Sequence, residues 1–383
     1  MYDDPARCPE CGKLAPRHDH RERRWRHLDI YEYRAYVIVQ IPRVKCAEHG
    51  VQQLPVPWAE GRSGFTALFE RLTISLLADM TISAVAKTLH ISWSEVDGIM
   101  RRAVHRGMAC RGARTLRRIG IDEKSVKKRH VYFTIVTDLE RNEVVWVGRG
   151  RKRETLDAFW RGLSKAQREA IEGIAMDMHE PYFRSTLEYV PQAARKIVFD
   201  KFHVSMYLTR ALDATRRAVM KAGGAAAAGL KHTRHLWLYA KAKLIEAEQA
   251  VLENLSAKYQ RIGAAWTHKE LFAEFWKSNS PDQARAFFEF WRAQVAQSGN
   301  TAMIAAMKTL ERHLDNLVTY AAMPITNAAS ESMNSRIQLI KFRSRGFRNA
   351  ARFERAIMFH CGGLDMNRAP GDRQGIRSES LRR

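Results

Sequence analysis

No apolar run in this chain approaches the roughly 18 residues that suggest a membrane span, and its opening stretch, MYDDPARCPE, does not read as a signal peptide. The chain is therefore expected to be soluble and cytoplasmic. Cysteine is scarce and odd in number, five among 383 residues, which argues against a disulfide framework. Acidic residues are also in short supply, 41 Asp and Glu against 64 Lys and Arg. The resulting net charge of +23 points to a polyanionic partner. What is plentiful is core material: 45% hydrophobic residues with nine Trp, on a length that calls for two to four domains.

The positive charge is clustered rather than spread. It concentrates at 21–26 (RERRWR), at 101–118 (seven Arg and no acid), at 124–129 and at 341–355 (KFRSRGFRNAARFER). One such cluster would be a solvated face. Four on separate segments favour nucleic acid as the partner, with Arg101, Arg102, Lys341, Arg343, Arg345 and Arg348 as candidate contacts.

Three of the cysteines carry a pattern. Cys8 and Cys11 form C-x2-C, and Cys46 stands three before His49, a usable set of zinc ligands. Apolar and polar residues alternate between the pairs (Tyr31, Tyr33, Ala35, Val37, Val39, Ile41), as in a β-ribbon. A small module of this kind needs a staple, and structural zinc supplies one. Cys110 and Cys361 have no such partners and are expected to be ordinary buried thiols.

After Pro55, Pro57 and the stretch from Gly61 to Gly64 the period becomes helical. Leu68, Leu72, Leu76 and Leu77 mark one face, Ile82, Val85, Ala86 and Leu89 a second, and Val96, Ile99, Met100 and Val104 a third. A short break before Ser92 and Ser94, either of which can cap the third helix, fits a helix-turn-helix, and Arg101 and Arg102 sit toward that helix's end. From about 117 the pattern turns to strands, near 119–126, 131–137, 143–148, 173–177 and 196–200, with helices at 153–163, 182–189 and 202–220. Three meandering strands followed by β-α-β-α is the order of a ribonuclease H-like domain, whose sheet runs 3-2-1-4-5. Residues 221–326 read as helices only, with Trp237, Trp266, Trp276 and Trp291 as core.

Cleavage of a phosphodiester without a covalent protein intermediate needs two divalent cations about 4 Å apart. Magnesium prefers carboxylate oxygens drawn from different elements. Asp122 on the first strand and Asp177 ending the fourth meet that need if the strands are neighbours. Glu331 is a third candidate, on a helix that Asn327 can cap, where Met333, Ile337 and Ile340 face inward and Glu331, Asn334, Ser335 and Gln338 outward. Asp138 and Asp200 also end strands and read as turn or capping residues, and Glu123 points away from Asp122.

Together GIDEKSVKKRHVYFTIVTD, DMHEPY, VFDKFHV and ITNAASESMNSRIQLIK resemble the DDE transposases of bacterial insertion sequences, in particular the ISL-three family with its leading zinc module and helix-turn-helix. The resemblance runs from Cys8 to about Phe359. It implies a metal triad of Asp122, Asp177 and Glu331 holding two Mg2+ (or Mn2+) ions, and excision and insertion of a DNA element by strand transfer. It also implies binding to terminal inverted repeats and target DNA, as a homodimer or higher oligomer. Glu331 follows Asp177 by 154 positions, so the helical block is read as an insertion.

The expected division is a zinc-binding module (1–60), a helix-turn-helix (61–110), a ribonuclease H-like core in two parts (111–220 and 327–363) around an all-α insertion (221–326), and a disordered basic tail (364–383). A domesticated, catalytically inactive DNA-binding regulator would share every feature but the need for the acids. A rolling-circle nuclease is disfavoured, because His18-Asp19-His20 has a charged middle residue and no expected strand around it.

Overall fold

The computed structural model describes residues 6–61, 63–112, 114–127, 131–325, 328–344, 346–347 and 349–367; the side chains at 126, 127, 131, 224–226 and 328–331 are also outside the description. Asn327, Arg345, Arg348 and the expected tail from 368 onward lie outside the described residues. The chain forms two compact units, Met1–Ala113 with Phe342–Arg383, and Arg114–Lys341.

In the first unit β1 (Arg17–Arg26), β2 (Tyr36–Cys46) and β3 (Gly50–Gln53) build an antiparallel sheet in that order. The ribbon's second strand starts later than the alternation suggested. Tyr31 and Tyr33 belong to the reversal between strands, closed by an Ile30–Tyr33 bridge, and are 95% and 70% exposed. His18 and His20 do lie in a strand, β1, contrary to expectation, and Asp19 between them accepts a 2.6 Å bond from Arg43 Nε. Trp25, fully buried, meets Trp58 edge-on at 5.7 Å, and backbone bonds from Arg26 N to Gly64 O and from Thr66 N to Arg26 O tie the ribbon to the helices that follow.

Those helices are α1 (Ala67–Asp79), α2 (Ile82–Leu89) and α3 (Trp93–Cys110). Each begins where a hydroxyl satisfies a free backbone N–H: Thr66 accepts from Phe69, Thr81 from Ala84 and Ser92 from Glu95. At Ser92 the Glu95 carboxylate accepts in return from the Ser92 N–H, so the sharp α2–α3 turn ends in a capping box. The buried faces of α2 and α3 include Val85, Leu89, Val96, Ile99, Met100 and Val104, as their periodicity predicts.

Helix α1 departs from its pattern. Leu68 and Leu72 are 46% and 39% exposed, and Phe69, Glu70, Thr73, Ile74 and Leu77 turn inward. That inward face carries an ion pair beside Phe69, Ile74 and Leu77. Glu70 is 3% exposed, its Oε1 accepting from Arg102 Nε at 2.9 Å and Nη2 at 2.5 Å and from Ser63 Oγ at 2.7 Å, while Oε2 accepts from Arg106 at 3.2 Å.

The second unit contains β4 (Arg118–Lys127), β5 (Val131–Asp138), β6 (Glu143–Arg149), α4 (Arg153–Arg161), α5 (Lys165–Glu169), β7 (Gly173–Met176), α6 (Glu180–Tyr189), α7 (Ala193–Lys196), β8 (Ile197–Phe199) and α8 (Lys201–Ala222). The sheet order is β6-β5-β4-β7-β8, antiparallel among the first three and parallel from β4 to β8. Parallel neighbours align Ile119 with Ile174 and Ile121 with Met176, then Ile174 with Ile197 and Met176 with Phe199. These six fully buried side chains share one core with Leu156, Tyr182, Val204 and Leu208 of the helices. On alternate positions Ala175 and Val198 pack instead with Ile325. Gly173 is needed there, because a Cβ would meet Ile325 Cδ1 at 2.2 Å.

Between α8 and Ile325 come α9 (Arg234–Leu238), α10 (Glu246–Lys258), α11 (Gln260–Leu271), α12 (Pro281–Gln297), α13 (Thr301–Glu311) and α14 (Leu314–Ala322), with short 3-10 turns. The tryptophans here serve packing. Trp237 and Trp291 are fully buried, and Trp291 Nε1 donates to His268 O at 2.9 Å. α15 (Ala328–Arg343) leaves Ile325 and buries Met333 and Ile337. α16 (Ala350–Cys361) packs against α3. Helix α16 thus clusters with the first unit. Cys361 is buried and Cys110 half-buried.

The Glu70 network assigns Arg102 a role inside the fold. Removing one partner of a buried pair leaves the other charge unsatisfied, at a cost of about 3–5 kcal/mol. Arg102→Ala should therefore lower the denaturant midpoint of the first unit markedly, with Glu70→Leu plus Arg102→Leu restoring much of the loss. An Arg102→Ala protein of wild-type stability that binds DNA less tightly would return Arg102 to the DNA surface.

Candidate functional site

The parallel β4–β7 pairing decides where the acids go. Ile121 and Met176 are partners, so Asp122 and Asp177, one residue further on, leave the shared edge together. Asp122 remains in β4 opposite Ile135, whereas Asp177 follows the last residue of β7. Both are desolvated. Burial raises the Asp122 carboxyl above the usual range, against the backbone N–H of Glu123, the charge of His203 and the amide of Asn334. Burial pushes Asp177 up to about 6, with His203 opposing and Asp122 and Glu123 adding to the rise.

Asp122 is held by both oxygens. Oδ1 accepts from Glu123 N at 2.7 Å and Oδ2 from Asn334 Nδ2 at 2.5 Å. The second bond brings α15 onto the Asp122 side of the sheet. Glu331 lies one turn before Asn334 on that helix, and its side chain is outside the described residues. Asp177 differs, since its Oδ1 is buried with no hydrogen-bond partner. A buried, unpartnered carboxylate oxygen is costly unless a cation meets it. Carboxylate oxygens from two neighbouring strands suit a hard divalent ion, so the residues present fit one.

Three neighbours also bear on the aspartate pair. Asp200 does cap α8, accepting from Phe202 N at 3.0 Å, and its own N–H donates to Met176 O, beside Asp177. Yet it also raises Asp122 electrostatically and stands 3.5 Å from His203 Nδ1. His203 gains proton affinity from that contact, offset by burial and helped by Asp177 and Asp122. The signal was present in VFDKFHV, where the cap at 200 and a residue three positions later share the first turn of a helix. Glu123 does point away from Asp122 by strand alternation, but it acts on Asp177 and His179 electrostatically. Its Oε1 lies 3.4 Å from Arg151, whose guanidinium sits 4.0 Å from the Tyr132 ring. Asp138 is a turn residue, with Oδ1 accepting from the N–H groups of Glu140 and Arg141.

The basic candidates separate. Arg101 is exposed on α3, whereas Arg102 is engaged by Glu70. Lys341 Nζ reaches Ser125 O at 3.5 Å, and Arg343 is exposed at the end of α15.

The other ligand set lies at the end of the ribbon. Cys8, Cys11, Cys46 and His49 place their ligand atoms within 4.8 Å of one another. Cys11 Sγ–Cys46 Sγ is 3.7 Å, Cys46 Sγ–His49 Nδ1 3.7 Å and Cys8 Sγ–His49 Nδ1 3.9 Å. A tetrahedron with zinc–sulfur bonds of about 2.3 Å has edges of about 3.8 Å, which these three separations match. The backbone N–H of His49, then its ring, hold the Cys46 thiol down to about 6, toward the thiolate a metal requires.

Three family models match the chain. Residues 119–357 match the ISL3 DDE family, described as transposase. Residues 4–49 match the zinc-finger of transposase IS204/IS1001/IS1096/IS1165, and residues 54–104 the helix-turn-helix domain of transposase family ISL3. A transposase for insertion sequence element IS1001 from Bordetella parapertussis is 26% identical over 352 residues, covering 90% of this chain and 86% of that protein. A transposase for insertion sequence element IS1557 from Mycobacterium tuberculosis is 26% identical over 371 residues, covering 90% and 83%.

Zinc loss should be read at the ribbon alone. Cys46→Ser is expected to abolish stoichiometric zinc in elemental analysis, unfold the N-terminal module and remove DNA binding, while the Arg114–Lys341 unit keeps its own melting transition. A zinc-free wild-type protein with an intact ribbon would contradict this.

Proposed function

The chain belongs to the ISL3 family of transposases, and from that premise we propose that it binds the terminal inverted repeats of its element and cuts and joins DNA at Asp122, Asp177 and Glu331. The core is read as ribonuclease H-like, interrupted by an all-α insertion between α8 and α15. The observation that carries this reading is the carboxylate pair at the β4–β7 edge, where Asp177 Oδ1 is buried and unpartnered.

Two Mg2+ or Mn2+ ions held there would activate the attacking oxygen and stabilise the leaving one. The protein's part is positioning. Asn334 fixes the Asp122 carboxylate, so the helix carrying Glu331 is registered against the strand that carries Asp122. Burial keeps both aspartates out of bulk water, which strengthens their hold on a cation. Lys341 and Arg343, later on the same helix, would take the DNA backbone. The partner is double-stranded DNA, engaged by a dimer or larger assembly of this chain. Nothing about Asp177 favours a catalytically silent regulator, since a carboxylate without a cation would only cost stability.

Glu331→Gln should bind end DNA nearly as well as wild type while nicking in Mg2+ falls by orders of magnitude. Asp177→Asn should be equally impaired, and Asp200→Asn less so. Near-wild-type nicking by Glu331→Gln would exclude it from the triad.

A further inference from the structure

Helix α16 covers one side of α3. Phe353 and Ile357 are fully buried, Gly107 leaves no room for a Cβ, which would meet Leu364 Cβ at 2.7 Å, and Arg111 Nη2 donates to Gly362 O at 2.5 Å. At the other end, near the first turns of α3, the contacts become polar. Arg355 Nη1 donates to Asp97 Oδ1 at 2.8 Å, with both side chains largely buried. Arg352 Nε stands 3.4 Å from Asp97 Oδ2, and its guanidinium lies 4.5 Å from the centre of the Trp93 ring.

Two guanidinium groups thus share one carboxylate. Arg355 is the closer and the more buried, at 17% against 46% for Arg352. That corner retains about one positive charge, on a side chain half open to solvent. A stacked Arg is also pre-organised, so little rotamer freedom remains to be lost on contact with an anion. The place matters: the N-terminal residues of a recognition helix are those that approach DNA, and Trp93 opens α3 with Ser94 and Arg101 exposed beyond it.

We propose that Arg352, delivered by the last helix, is part of the DNA-binding surface and takes a backbone phosphate of duplex DNA, with Trp93 and Asp97 orienting it. This rests on the helix-turn-helix being the DNA-reading element. The chain therefore builds its DNA-binding head from both ends of its sequence, with α16 supplying charge as well as packing.

The test is the salt dependence of binding to end DNA by the full-length zinc-loaded protein, with Arg101→Ala as a reference. Arg352→Gln should weaken binding severalfold on end and unrelated duplexes alike and flatten the log-affinity against log-salt slope by about one. Its melting curve should match wild type. Arg352→Met, which keeps more of the Trp93 contact, carries the same expectation should the Gln variant lose its fold. An unchanged slope and affinity in the folded variant, with Arg101→Ala still defective, would make Arg352 a brace and overturn the proposal alone. Indifference of both variants would remove the helix-turn-helix reading as well.

Discussion

The parallel pairing of β4 with β7 is the constraint on which the candidate active site depends. Strand alternation sends Ile119, Ile121, Ile174 and Met176 into one core, and the same register brings Asp122 and Asp177 to a common edge. Each apolar side chain in that core is worth about 1.5–3 kcal/mol of burial. That margin is what allows two desolvated carboxylates to be held beside one another. Asn334 then fastens α15 to Asp122, so one sheet register positions residues from two strands and a helix more than 150 positions away in sequence.

The first unit follows another principle. Its sheet has little apolar core of its own around Cys8, Ala15, Val44 and Cys46, so four metal ligands close what packing cannot. Its helices are held by charge inside the fold, Glu70 to Arg102 and Arg106 at one place and Asp97 to Arg355 at another. A strongly basic chain thereby spends some of its arginines on structure. Charge counting alone cannot tell these from the arginines left for DNA.

That distinction marks what could be read in the sequence. The zinc ligands, the three helices with the Ser92 cap and the strands are local or periodic signals, the strand order follows from the succession of elements, and β4, β7 and Asp122 fell where the pattern put them. Legibility failed where a tertiary partner overrides a pattern. Leu68 and Leu72 of α1 point to solvent while Glu70 faces Arg102, an ion pair that no periodicity shows. α16 packs on α3, some 250 residues earlier, a pairing that no local pattern shows. His203 and Asp200 were visible as a cap and its neighbour, and only the closeness of β7 and β8 turns them toward the carboxylates.

Asp177, buried with one oxygen unpartnered, is the carboxylate that the proposed cation would meet. Its folded pKa, about 6, lies above the unfolded value near 3.9, so the folded state holds the proton more tightly. The penalty is then absent below about pH 4, grows between about pH 4 and 6 and is complete above. Melting of wild type and Asp177→Asn across this range, with zinc retained and Mg2+ absent or present, tests it directly. Without Mg2+ at neutral pH the variant should be the more stable, by on the order of 1–3 kcal/mol, with the gap closing toward pH 4. Mg2+ should stabilise wild type and leave the variant nearly unmoved. Equal stability at all pH values, with equal response to Mg2+, would contradict the account.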